Sequence, residues 1–192
     1  TGVAQELATA GSSTKGELQY SLTQIGGYSI AIPKGTDAKD YTVWYQVVVG
    51  NSNYNDVAAQ SVSVTIGKAD SQLGDLTVMN GTTETTTFTY GDTITVEFTP
   101  AVVTTFSLRS APAINEAALF LGATQLTDPA SPDAGGKFTL SYDTTSKDLP
   151  IGASTLTVKY GGSGNLNASS DLVDLTLNAK GVTLSGVSAV SR

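Results

Sequence analysis

The sequence predicts an all-β protein, and three features support this prediction. Thr, Ser, Gly, Val and Ala dominate the chain, apolar residues alternate with polar ones at a period of two, and pairs of turn-forming residues separate the alternating runs. This combination is typical of short antiparallel strands joined by tight turns, and no long stretch has the three-and-four spacing of an amphipathic helix. We therefore expect antiparallel β-sandwiches.

The alternating runs extend along most of the chain. In the first run, Tyr41, Val43, Tyr45 and Val47 share one face of the predicted strand and Trp44 lies on the other. Five further runs have the same spacing, at residues 62–66, 94–98, 138–142, 156–160 and 173–177. Turn formers that favour positive φ angles separate them, at Gly26-Gly27, Asn80-Gly81, Gly91-Asp92, Gly135-Gly136 and Gly161-Gly162.

A strand, a Gly/Asn-rich connection and a second strand occur twice in the chain, with similar sequences. The stretch YTVWYQVVVGNSNYND at residues 41–56 is matched by TLTVKYGGSGNLNASS at residues 155–170, and an alternating strand follows each of them. The first stretch has one more residue before its turn, at VVVG, where we expect a β-bulge. Short polar links follow both endings, at residues 67–70 and 178–181, and indicate junctions between modules.

These endings predict two modules and the start of a third. The first covers residues 1–67 and the second, larger one covers residues 68–179. Residues 180–192, KGVTLSGVSAVSR, have the pattern of the first strand of a further module or of a linker. The opening TGVAQELATAG has the pattern of a strand that continues from upstream, so we expect the first module to lack part of an edge strand.

Composition restricts the classes of function. The chain has 192 residues, 10 basic and 17 acidic residues, a formal charge of −7, and neither His nor Cys. Thiol nucleophiles, imidazole bases and the usual zinc ligands are therefore absent from the sequence. An acidic chain without a run of Lys or Arg repels phosphate backbones and anionic membranes, so we expect no nucleic-acid partner and no membrane contact. We also expect no enzyme activity, cofactor or metal.

Two aromatic residues are candidate ligand contacts. Trp44 is the only Trp, and on its strand face it either stacks on a sugar ring or packs under a loop or a neighbouring module. Tyr54, in the turn SNYND, either contacts a ligand at the loop tip or covers the end of the sandwich. We favour packing for both, because aromatic side chains are buried more often than they bind ligands.

The acidic residues follow no catalytic or metal-binding spacing. The aspartates that we considered as calcium ligands are Asp37, Asp40, Asp56, Asp70, Asp75, Asp128 and Asp133. They match no D-x-[DN]-x-[DN]-G run, so we expect solvated turn residues. The glutamates have no spacing that suggests the facing carboxylates of a glycosidase.

Several motifs resemble the bacterial immunoglobulin-like repeats of large exported surface proteins. In residues 1–66 these are TGVAQELATAG, LQYSL, IPKGTDAKDYTVWYQVVVGNSNYND and QSVSVTI. In residues 73–178 they are YGDTITVEF, ALFLGATQL, KFTLSY and LPIGASTLTVKYGGSGNLNASS, whereas Pro100 to Glu116 departs from the pattern and suggests an extra hairpin or loop. The resemblance implies two tandem immunoglobulin-like antiparallel β-sandwiches plus the first strand of a third module.

The resemblance also implies a class of function. It indicates a non-enzymatic spacer or adhesive segment of a bacterial cell-surface or secreted protein, whose partners are neighbouring modules and host or cell-wall glycans or proteins. The alternatives are a carbohydrate-binding or adhesion module that uses exposed aromatics, and an accessory domain of a polysaccharide-degrading enzyme. Some immunoglobulin-like surface domains form Lys–Asn isopeptide crosslinks with the help of a buried acid. The residue types for such a crosslink are present here in Lys68 and Asn178, with Glu97 or Glu116 as the acid. We favour a solvated linker role for Lys68.

Overall fold

The structure is a computed structural model, and it describes residues 3–50, 53–103, 115–146, 148–183 and 185–186. Within these ranges every regular element is a β-strand, which confirms the predicted all-β class. Most of the segment from Pro100 to Glu116, for which we predicted an extra hairpin or loop, lies outside the described residues.

Fourteen strands follow one another along the described chain. They are β1 (Gln5–Glu6), β2 (Glu17–Ser21), β3 (Lys34–Gly35), β4 (Asp40–Val48), β5 (Val57–Thr65), β6 (Ser71–Asn80), β7 (Thr83–Glu84), β8 (Thr87–Thr89), β9 (Thr93–Val102), β10 (Ala117–Leu121), β11 (Thr124–Gln125), β12 (Phe138–Asp143), β13 (Gly152–Tyr160) and β14 (Ser169–Asn178). Each predicted run lies in or overlaps one of the six strands β4, β5, β9, β12, β13 and β14.

The chain forms two compact units, and it crosses between them several times, first between Asp70 and Ser71. Unit 1 consists of Thr1–Asp70, Val102–Ala113 and Gly162–Asn167, and unit 2 consists of Ser71–Ala101, Ile114–Gly161 and Ala168–Arg192.

Unit 1 is built on a three-stranded antiparallel sheet in the order β2-β4-β5, with a separate two-stranded ribbon of β1 and β3. Its buried core cluster is small and contains Leu7, Tyr20, Val43 and Ile66. Gly35 belongs to this packing, because a Cβ added there would lie 2.7 Å from the ring Cζ of Tyr41 and 3.0 Å from Cδ1 of Ile66.

The β-bulge of unit 1 is not at VVVG, where we predicted it. Tyr45 pairs with Gln60, but Val47 pairs with Val57, so one residue of β4 faces two residues of β5. The extra residue therefore lies on β5, opposite Gln46. The prediction was wrong because it compared the two endings along the sequence, whereas a bulge is defined by the register between two strands.

Unit 2 has two sheets, in the orders β11-β10-β13-β14-β8 and β12-β9-β6-β7. Within one sheet, Phe138 of β12 stacks on its neighbour Phe98 of β9 with ring centroids 5.1 Å apart. Phe138 also contacts Tyr160 of β13, in the other sheet, edge-on at 5.5 Å, so apolar residues of the two sheets face each other. This packing is consistent with a β-sandwich. The recorded pairings are antiparallel except that of β8 with β14, which is parallel.

The glycine turns are confirmed by the backbone, which has positive φ angles at Gly26, Gly27, Gly81, Gly91, Gly136 and Gly162. The predicted first strand of a third module is not seen in the part of it that the structure describes, because residues 180–183 and 185–186 belong to no strand. Residues 184 and 187–192 lie outside the described residues.

Candidate functional site: an apolar groove in unit 1

A groove of about 540 Å³ lies on the apolar face of the three-stranded sheet. Its floor follows the period of two predicted from the sequence, because Val43, Tyr45 and Val47 of β4 all line it. The neighbouring strands β2 and β5 add Leu18 and Val62 to the same surface. The volume lies within the range of about 300–1,000 Å³ that is usual for small-molecule pockets.

One wall of the groove is a segment without regular structure, residues 7–12. Two hydrogen bonds hold this segment: the Leu7 N–H donates to the carbonyl of Pro33 at 2.9 Å, and the Gly11 N–H donates to the hydroxyl of Tyr20 at 2.8 Å. A Cβ added at Gly11 would lie 2.8 Å from Cδ2 of Leu18. The wall therefore approaches the sheet too closely for any larger residue at that position without a shift of Leu18.

The polar groups of the groove are amides and hydroxyls. Tyr45 donates its hydroxyl hydrogen bond to Oε1 of Gln60 at 3.2 Å, and Nε2 of Gln46 donates to Oε1 of Gln19 at 3.4 Å. No Asp, Glu, Lys or Arg is among the described residues that line the groove. An acid–base pair of the kind used in hydrolysis is therefore not assembled by these residues.

The groove is open on the side of β5. Val57 and Val62 of that strand are 47% and 46% exposed, although both belong to the apolar face. At these exposures, the described residues of unit 1 leave about half of each side chain uncovered. Apolar side chains at the edge of an open groove are characteristic of interaction surfaces.

The two predicted ligand residues do not line this groove. Trp44 is half-buried on the opposite face of β4, where it pairs in register with Ser21 of β2 and Ser61 of β5. Tyr54 lies in the connection between β4 and β5 and is 52% exposed, with Nζ of Lys15 at 5.9 Å from its ring centroid. Trp44 and Tyr54 stay predicted ligand contacts, on separate elements.

Two of the predicted turn aspartates, Asp56 and Asp133, make local hydrogen bonds. The Asp56 carboxylate accepts from the Val49 N–H at 2.6 Å, and Oδ1 of Asp133 accepts from the N–H groups of Gly135 and Lys137 at 2.8 and 2.9 Å. Within the described ranges, no three acidic side chains converge in a way that could hold a metal ion. These carboxylates stabilise loop geometry.

Glu97, one of the two acids that we considered for an isopeptide crosslink, has other partners in unit 2. The Glu97 carboxylate forms an ion pair with Nζ of Lys137, and it accepts a hydrogen bond from Oγ1 of Thr139 at 3.3 Å. All three side chains lie on the adjacent strands β9 and β12 or next to them.

Two ionisable groups of unit 2 have shifted pKa values, and both lie outside the groove. Burial raises the pKa of Tyr142, and the carboxylate of Asp148 adds to this effect. The pKa of Asp143 is lowered by hydrogen bonds from Thr145, whose backbone N–H and hydroxyl both lie 2.8 Å from Oδ1 of Asp143. Each shift has a local structural cause and does not indicate a reactive centre.

No protein-family model matches the chain, and no curated protein is significantly similar to it. A helix that could cross a membrane is not found among the residues that the structure describes.

The sequence contained part of the signal for the groove. Its floor follows from the alternation at residues 41–47, but its wall depends on two hydrogen bonds that join Leu7 to Pro33 and Gly11 to Tyr20. No spacing rule connects such pairs, and the groove was missed for that reason.

Proposed function

We propose that this chain is a non-enzymatic spacer segment of a bacterial cell-surface or secreted multidomain protein. The observation that carries the proposal is the lining of the groove, which offers apolar, amide and hydroxyl groups and no charged side chain among the described residues. The absence of His and Cys from the sequence removes further reactive groups. A β-rich segment of this kind acts by its length and its resistance to unfolding.

The pairing of β14 with β8 supports a mechanical role. The two strands are parallel over Thr176–Asn178 and Thr87–Thr89. The Thr176 N–H donates to the carbonyl of Thr86 at 2.8 Å, and the Tyr90 N–H donates to the carbonyl of Asn178 at 2.8 Å. A pull on the chain beyond Asn178 along the strand axis loads these bonds together, so they resist more force than bonds that open one after another.

Buried side chains reinforce this pairing. Phe88 of β8 is 1% exposed and Leu177 of β14 is fully buried, and the two residues are partners in the register. Separation of the strands therefore also exposes core side chains to water, which costs about 1.5–3 kcal/mol for each large apolar residue.

Stretching single molecules of the chain tests this role. We expect Thr176→Pro to lower the unfolding force of unit 2, because it removes the N–H bond to Thr86, and to leave unit 1 unchanged. Thr176→Ala is the matched control because it keeps that N–H. Equal unfolding forces for the two variants would show that the pairing of β8 with β14 does not set the unfolding force. Hydrolysis of a polysaccharide by the purified chain would refute a non-enzymatic function.

A second candidate function is glycan binding, and the exposure of Tyr54 favours it. This ring is 52% exposed in a turn, with Lys15 above it, and exposed aromatic rings are the side chains on which sugars stack. Isothermal titration with cell-wall and host glycans tests the idea. Binding that Tyr54→Ala abolishes and Tyr90→Ala retains would support it, since Tyr90 is another exposed tyrosine, at 40%, in unit 2.

A further inference from the structure

Strand β5 is a sheet edge in the part of the chain that the structure describes. It is the last strand in the order β2-β4-β5, and no described strand pairs with its outer side. Its nine residues, VAAQSVSVT, include neither a charge nor a proline, and seven of them are exposed. Long uncharged edges without proline are sites where a further strand adds to a sheet.

The register shows which backbone groups of β5 point towards β4. The Ile66 N–H donates to the carbonyl of Lys39 at 3.0 Å, immediately beyond the last strand pair. In an antiparallel ladder, hydrogen-bonded pairs recur at every second residue. Counting back from Ile66, the backbone groups of Val64, Val62 and Gln60 are bonded to β4.

The intervening residues of β5 therefore present their backbone groups outwards. These residues are Ala59, Ser61, Ser63 and Thr65. Beyond Ala59 the bulge interrupts the alternation, so the regular outer edge covers residues 59–65. A strand that joins this edge can exchange N–H···O=C bonds with four residues spaced two apart.

The longer edges of unit 2 differ from β5 in charge. The outer side of β14, beyond the three residues that pair with β8, carries Asp171 and Asp174. The edge strand β12 ends at Asp143 and follows Lys137. Charged residues at edges prevent strand addition. Strand β5 is thus the long edge of the described chain that lacks this protection.

We propose that β5 pairs antiparallel with β5 of a second copy of the chain, in the register centred on Val62. In this register Ala59 faces Thr65 of the second copy and Ser61 faces Ser63, so all four outward residues form hydrogen-bonded pairs. A shift of the centre to Ser61 would pair Thr65 with Val57, which lies beyond the bulge. The centre at Val62 is therefore the register that uses the whole regular edge.

Side chains favour the same register. Val62 is 46% exposed, and at the centre of the pairing it meets Val62 of the second copy and is covered. No charged residue lies in the contact, although the whole chain carries −7. We therefore expect association to become stronger as salt is added, because salt screens the repulsion between the two acidic chains while the uncharged contact is unaffected.

The absence of natural cysteine allows a direct test by crosslinking. Residues opposite each other in a non-hydrogen-bonded antiparallel pair have Cα atoms about 4.5 Å apart, which is within the disulfide range. We expect the full chain with Val62→Cys to form a disulfide dimer on mild oxidation. Thr42→Cys, an exposed position on the central strand β4, is the matched control and should stay monomeric.

Hydrogen exchange measured as a function of protein concentration gives an independent readout. The amides of Ala59, Ser61, Ser63 and Thr65 should exchange fast in the dilute monomer and slow down as the concentration rises. The amides between them should be protected at every concentration, because they bond to β4. Only pairing along the outer edge of β5 produces this alternation.

Ser63→Pro should abolish association and leave the fold intact, since it removes an outward N–H and no bond to β4.

Several results would overturn the proposal. They are equal crosslinking of the Val62→Cys and Thr42→Cys variants, a sedimentation coefficient that does not change with concentration, and protection of the outward amides already in the dilute monomer, which would mean that another segment of the same chain covers the edge. Crosslinking of Ser61→Cys in preference to Val62→Cys would refute the register.

Discussion

Units 1 and 2 are both built from β-strands, but their apolar faces are buried to different degrees. Of the buried apolar residues in the described chain, four belong to unit 1 and nineteen to unit 2. Unit 2 places two sheets against each other, whereas the apolar face of the sheet in unit 1 forms an open groove. Alternation in a sequence thus specifies an apolar face, but a second layer decides whether that face becomes a core.

The comparison has an energetic consequence. Stability is a small difference between apolar burial and the entropy lost by ordering the chain, and each buried apolar side chain contributes about 1.5–3 kcal/mol to the favourable side. A unit with four such residues has little reserve, so we expect unit 1 to unfold more readily than unit 2. Single changes in each unit test this difference.

The largest effect should come from the aromatic core of unit 2. Phe98→Ala removes a ring that is 1% exposed and stacked on Phe138, which costs about 3–5 kcal/mol. Denaturation followed by circular dichroism should show the loss. Because Trp44 is the only Trp and lies in unit 1, its fluorescence transition should not move. A parallel shift of both signals would show that the units do not unfold separately.

The next effect concerns the packing of unit 1. In Gly35→Ala the new methyl group meets the ring of Tyr41 at 2.7 Å, and overpacking of this kind costs about 1–3 kcal/mol. Gly50→Ala is the matched control, since nothing lies within 4 Å of its added Cβ. Trp44 fluorescence should show an earlier transition for the first variant alone. Equal midpoints for both variants would contradict the close approach.

A smaller effect is expected on the surface of unit 2. Lys137→Met removes the ion pair with Glu97. The side chain of Lys137 is 47% exposed and that of Glu97 is 21% exposed. Such pairs contribute at most about 1 kcal/mol, and salt weakens them. Chemical denaturation with urea at low and high salt measures the difference, which should shrink as salt rises. A loss that does not depend on salt would mean that packing of the lysine stem is responsible.

The smallest effect depends on pH. Hydrogen bonds from Thr145 lower the pKa of Asp143 in the folded state, so this carboxylate stabilises unit 2 above its unfolded pKa and loses that contribution as the pH falls through the folded pKa. Thr145→Ala removes the hydroxyl bond and keeps the backbone bond, and should raise the pKa of Asp143 towards its ordinary value. An NMR titration of the carboxyl carbon measures this, and an unchanged pKa would contradict it.

Much of the fold could be predicted from the sequence, because it depends on local patterns. The run at residues 41–47 predicted both β4 and the apolar face that became the floor of the groove. The glycine pairs predicted turns, since Gly81 and Gly136 occupy backbone angles that other residues rarely adopt.

The features that could not be predicted depend on contacts between distant residues. Asn165 illustrates this within unit 1: its side-chain oxygen accepts a hydrogen bond from the Ala38 N–H at 2.8 Å, and its carbonyl accepts one from the Ala69 N–H at 2.9 Å. The sequence suggested only a turn residue at this position. The free edge of β5 has the same origin, because strand order is set by pairing in space.

The central claim is that unit 1 is open and weakly stabilised while unit 2 is closed. Native-state hydrogen exchange at micromolar protein concentration, followed peptide by peptide as denaturant increases, tests it most directly. We predict that peptides containing Val43 of unit 1 open at a lower free energy than those containing Val96 or Leu156 of unit 2. The same or a higher opening free energy for the Val43 peptides would contradict this account.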